Sequence, residues 1–171
     1  GGADAVMLSG ETAAGEYPAQ AVEAMRAIAL RAEEWIASQP SHRALQGATG
    51  TETHLILARS MAQMATEGRA RAILAWTDHR SLRAISQTDV DVPVYAFADT
   101  DAELRALALL RGVRGIRMPH PADSRDFVRS AERMLSGRGL LRAGDRVVVA
   151  TGFAGRGTER LWVRDVGAKA V

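Results

Sequence analysis

Few residues in this chain are placed to do chemistry. Ser9-Gly10-Glu11-Thr12 gathers two hydroxyls and a carboxylate in one polar turn, directly after the apolar run Ala5-Val6-Met7-Leu8. A serine hydroxyl donates and accepts a hydrogen bond at once, which suits a proton relay. A carboxylate near a helix start is also favourable for the dipole alone, so Glu11 has a purely structural reading beside a functional one. His42, His54, His79 and His120 lie in separate segments, without i, i+4 pairing and without any cysteine in the chain, so they form no metal pattern. No nucleophile–base pair and no carboxylate cluster stands at useful spacing, which argues against a self-contained active site.

The elements that position these residues follow from periodicity. The run 5–8 is short and uncharged, as expected for a strand buried on both faces. Pro18 suits the first turn of a helix that carries Val22, Met25, Ala29 and Ala32 at helical spacing to about Trp35 or Ile36. Residues 39–50 are rich in Pro, Ser, Gly and Thr and read as a linker.

Helix and strand then alternate. A helix capped at Thr51 or Thr53 turns Leu55, Ala58, Met61, Ala62 and Ala65 inward and ends near Gly68. A strand at 72–76, a short helix from about Ser81 to Gln87 and a strand at 92–97 come next. Thr100-Asp101-Ala102-Glu103 has capping-box spacing and opens a helix that closes at Gly112. A strand at 113–118, a helix capped by Asp123 and ending at Gly137, and strands at 146–150 and 160–166 complete the pattern. Only a loop separates the last two strands, so they should be antiparallel. Such alternation predicts a three-layer α/β/α domain with a five-stranded, mostly parallel sheet. It is preceded by an orphan strand–helix whose strand needs neighbours on both sides. The expected divisions are 1–38, 39–50 and 51–171.

Composition excludes more than it assigns. The chain has 171 residues, 47% hydrophobic and 25% charged, as in an ordinary globular protein with one good core. No apolar run approaches a membrane span, and the absence of cysteine is compatible with a cytoplasmic protein. The sequence pI near 9.6 comes with a net charge of only +2, and Lys169 is the sole lysine. The densest basic stretch, Arg105, Arg111, Arg114 and Arg117, spans a predicted helix and a predicted strand without interleaved aromatics. Neither nucleic acid nor membrane is therefore an expected partner.

The stretch from Gly2 to Ala13, with Gly15 and Tyr17-Pro18, resembles the last barrel strand and following loop of pyruvate kinases almost letter for letter. Residues 71–77, 92–97 and 144–149 are similar in layout to the first, second and fourth strands of that family's C-terminal domain, and 111–113 to the turn into its third. The resemblance implies the end of a TIM-type catalytic barrel followed by the whole regulatory and oligomerisation domain. The parent reaction would move a phosphoryl group from phosphoenolpyruvate to ADP, giving pyruvate and ATP, with Mg²⁺ and K⁺, in a cytoplasmic tetramer at the end of glycolysis.

That chemistry needs a lysine and metal-holding carboxylates near the phosphate. Lys169 is almost at the C-terminus. The implied ligands lie on earlier barrel strands, and the chain alone should be inactive, with no metal site of its own. By the same resemblance Ser9 and Glu11 stand at the pocket end of the final barrel strand, Ser9 in the relay that protonates the enolate.

The resemblance also implies an effector phosphate held by a Thr-x-Ser-Gly-x-Ser/Thr loop and closed over by a glycine-rich loop. Here the first loop reads Thr77-Asp78-His79-Arg80-Ser81, one residue shorter and without the Ser-Gly pair. The second, residues 152–159, keeps its glycines but has Glu159 where Asn is common. The candidate effector residues are Thr77, Arg80, Ser81, Arg83, Arg156, Gly157 and Thr158, with Arg160 beside them. The competing identity is a stand-alone α/β domain that binds a phosphorylated metabolite. A self-sufficient module has no use for a barrel strand carrying Ser-Gly-Glu-Thr.

Overall fold

The computed structural model describes residues 5–38, 50–76, 79–88, 90–152 and 160–168. The chain divides into two compact units, Gly1–Ala44 and Leu45–Val171. Most of the expected linker, 39–49, lies outside the described residues.

In the first unit α1 (Gly10–Ala13) precedes the long helix α2 (Pro18–Ser38). Pro18 is the first residue of α2, where its missing N–H costs nothing. Residues 5–9 are in no strand, which corrects the expected strand at 5–8. A strand is stable only against a neighbouring edge, and this run pairs with none of the described strands. Val6 is 63% and Met7 84% exposed.

The second unit is the α/β domain. Its elements run α3 (Thr53–Glu67), β1 (Ala72–Trp76), α4 (His79–Ser86), β2 (Val94–Ala98), α5 (Asp101–Leu107), β3 (Val113–Arg117), α6 (Ser124–Gly137), β4 (Arg146–Thr151) and β5 (Arg160–Asp165). The sheet order is β3-β2-β1-β4-β5, parallel throughout except for β4 against β5. The fold class is therefore as the alternation predicts.

The side-chain period of two sorts each strand between two cores. Ile73, Ala75, Val94, Ala96, Val148 and Ala150 face α3, α4 and α5, and pack with Ala58, Met61, Ile85 and Leu107. Ala72, Leu74, Trp76, Tyr95, Phe97, Val147 and Val149 face α6, and pack with Phe127, Val128, Ala131 and Leu135. Handedness explains the division. The steps from β1 to β2 and from β2 to β3 move one way across the sheet, while the step from β3 to β4 returns past β1. A right-handed crossover then requires its helix on the opposite face.

Local signals set the helix ends. The Thr100 hydroxyl accepts from the Glu103 N–H at 3.2 Å and donates to Glu103 Oε2 at 2.7 Å. The Asp123 carboxylate accepts from the N–H groups of Arg125 and Asp126, both at 2.8 Å. Neither Thr51 nor Thr53 caps α3, whose N-cap is Glu52 without a side-chain bond. The expected long helix closing at Gly112 ends at Leu107, and turns carry the chain to Gly112 at φ +72. Among the described residues no helix is long and apolar enough to cross a membrane.

Candidate functional site

Ser9 is the N-cap of α1, yet its hydroxyl makes no capping bond. The Glu11 side chain curls back instead, and its Oε2 accepts the Ser9 N–H at 2.9 Å. The carbonyl of Ser9 accepts from the Thr12 hydroxyl at 3.2 Å and from the Ala13 N–H at 3.0 Å. Hydrogen bonds from the Glu11 and Ser9 backbone N–H groups hold the Glu11 carboxyl below the usual carboxylate range. Gly15 is required here, because a Cβ would run into the Glu11 carbonyl. Glu11 thus organises the turn, while Ser9 leaves an exposed hydroxyl at its surface.

The second unit concentrates its options at the carboxyl ends of β1 and β4. The chain leaves β1 in one direction and returns to β4 from the other, so the carboxyl ends of these two strands form the switch point of the sheet. Ligands of open α/β sheets bind at such switch points. The Gly152 N–H donates to the Trp76 carbonyl at 2.7 Å and ties the two strand ends together. Thr151, 1% exposed, has its Oγ1 3.1 Å from the Ser124 hydroxyl on α6. Trp76 stands edge-to-face with His120 at 5.2 Å and with Phe127 at 6.2 Å. His120 Nδ1 lies 2.9 Å from the Pro121 carbonyl, a contact that calls for the proton on Nδ1.

The expected effector residues are only partly gathered among the described residues. Arg80 and Arg83 lie exposed on α4, whereas Ser81 is fully buried in the same helix. Thr77, Arg156, Gly157 and Thr158 lie outside the described residues. At α6 the Asp123 carboxylate already occupies the helix N-terminus. Its bond from the Asp126 N–H is the chief cause of its lowered pKa, so it would oppose a phosphate at that point. Sequence reasoning did not single out Ser124, Thr151 or His120. No local pattern marks them, because sheet order alone brings 76, 120, 124 and 151 together. Among the described residues no group of three or more His, Asp or Glu side chains could hold a metal ion.

Comparison with known proteins agrees with this architecture. The family model described as "Pyruvate kinase, alpha/beta domain" matches residues 56–161. A pyruvate kinase of Bacillus licheniformis is 33% identical across 98% of this chain and 30% of its own length. The chloroplastic pyruvate kinase isozyme A of Ricinus communis is 30% identical across 87% of this chain and 27% of its own length. The chain therefore spans less than a third of these two relatives. A crystal structure of a pyruvate kinase from Cryptosporidium parvum superimposes with a TM-score of 0.72, covering 94% of this chain and 32% of that one, at 22% identity. With a family match over most of its length and the same sheet, this chain belongs to the pyruvate kinase family, through that family's C-terminal α/β domain.

Proposed function

We propose that this chain is the regulatory and subunit-contact end of a pyruvate kinase, inactive alone. The parent enzyme transfers the phosphoryl group of phosphoenolpyruvate to ADP, the last step of glycolysis. One observation carries the reading: the chain aligns along 98% of its length with less than a third of a pyruvate kinase relative. The division falls at 1–38 for the end of the barrel, 39–50 for a linker and 51–171 for the regulatory domain. Ser9 takes part in the relay that protonates the enolate, and Glu11 holds its turn. The ligands of Mg²⁺ and K⁺ belong to barrel strands outside this sequence.

A phosphorylated effector binds near the switch point of β1 and β4, with Thr77, Arg80, Ser81, Arg83, Arg156, Gly157 and Thr158 as its candidate contacts. The edge strand β5, paired only with β4 among the described strands, supports a role in a homotetramer. The cytoplasm is the compartment that goes with this assignment.

The test is a lactate dehydrogenase-linked assay of the parent with and without residues 39–171. Activity dependent on phosphoenolpyruvate and ADP should survive truncation and lose cooperativity or effector response. No activity at full length, with Mg²⁺ and K⁺ supplied, would instead favour a stand-alone metabolite-binding domain.

A further inference from the structure

The edge strand β5 is weakly specified by its own sequence. Its central triplet Leu161-Trp162-Val163 is apolar throughout, so alternation does not choose a face. As the strand lies, Trp162 joins the α6 side of the sheet and Leu161 the α3 side. A slip of one residue would exchange those faces, and a slip of two would set Arg164 where Trp162 stands. Backbone bonds to β4 are available in each register, so side chains must decide between them.

One side chain is out of keeping with its surroundings. Arg164 lies opposite Val147, next to the Val149–Trp162 pair, and both valines are fully buried. There it meets Glu132 of α6. Arg164 Nε is 2.9 Å from Glu132 Oε1, and the two side chains are only 17% and 14% exposed. The contact has the distance of an ion pair without the alignment of a hydrogen bond. Both residues also hold the turn that follows the strand. Glu132 Oε2 accepts the Gly167 N–H at 3.3 Å, and Arg164 Nη2 donates to the Ala168 carbonyl at 2.7 Å. The neighbouring Arg146–Asp165 pair, at 3.1 Å, is half exposed on both sides and screened by solvent.

Removing one partner of a covered pair leaves an uncompensated charge, whereas an apolar pair of similar volume can hold the same stability. What the charges can add is discrimination between arrangements. A slip of two residues would carry Arg164 about 7 Å from Glu132. We propose that Glu132 and Arg164 are the register pin of β5, through which α6 fixes the backbone groups that this edge offers to a second copy of the chain. The consequence for a second copy rests on the proposed subunit contact; the pin does not.

The pin is tested by NMR on the 171-residue chain, where α-proton contacts across β4 and β5 report the register and amide exchange reports strand opening. Glu132→Gln should speed exchange of the β5 amides at least about tenfold, with β1 and β2 changed by less than about twofold. Glu132→Leu combined with Arg164→Met should restore the urea midpoint and yet show a second set of β4–β5 contacts, which a merely stabilising pair would not produce. In the parent enzyme the same double variant should dissociate at a concentration at least about tenfold higher, by sedimentation. Unchanged β5 exchange in Glu132→Gln would overturn the pin, and so would a double variant that keeps the original register alone. Should the double variant fail to fold, the Glu132→Gln exchange rates decide by themselves. A parent that does not associate even without substitution would remove the subunit contact instead, and the register contacts of the 171-residue chain would still decide the pin.

Discussion

Ser9 and Glu11 divide the work of one turn between a free hydroxyl and a tethered carboxylate. The Glu11 carboxylate accepts the Ser9 N–H, and Ser9 Oγ is left exposed. A hydroxyl so placed can pass a proton, provided the rest of a barrel brings substrate to it. The expected outcome in the parent enzyme is that Ser9→Ala slows turnover while KM for ADP changes little, since the methyl keeps the turn but removes the relay. Steady-state kinetics would show this, and an unchanged kcat would remove Ser9 from the mechanism. Glu11 has the opposite character. Its lowered pKa comes from backbone hydrogen bonds, so the turn keeps its carboxylate support above the ordinary range of a glutamate. That support is lost as pH falls through the depressed folded value.

At the scale of elements, α6 links the core to the switch point of the sheet. Phe127 is fully buried and meets Phe97 at 5.4 Å and Trp76 at 6.2 Å, both edge-to-face. Truncating it leaves a cavity under the carboxyl end of the sheet. Phe127→Ala should cost about 3–5 kcal/mol, a large share of the stability of a small domain, read from the urea midpoint. A loss below about 1 kcal/mol would mean that the aromatic cluster does not anchor this face. Much of this architecture was legible in the sequence. The Asp123 cap, the capping box at Thr100 and the five strands follow from residue types at fixed spacing. What could not be read were facts of pairing and proximity. The run 5–8 has strand composition but no partner edge, and the composition of a strand cannot supply one. The approach of Ser124 to Thr151 depends on β4 lying beside β1, which no local spacing encodes.

The whole molecule joins two units of different character. The α/β unit closes two cores, one on each face of its sheet. The first unit does not bury its apolar residues in the same way. Met7, Ile28, Trp35 and Val22 are 84%, 67%, 59% and 52% exposed, while among the described side chains of α2 only Ala21, Met25 and Ala29, at helical spacing, are partly covered. Apolar groups exposed in this density mark surfaces made for contact. If that contact is the remainder of a barrel, the isolated chain should bind the dye ANS and self-associate as concentration rises. Deleting residues 1–49 should remove most of the dye binding and the concentration dependence, with the far-ultraviolet signal of the sheet retained. ANS fluorescence and sedimentation on both forms make the comparison. Equal dye binding by the two would place the sticky surface on the α/β unit instead, where the open edge of β5 and its 40% exposed Val163 are the features to examine.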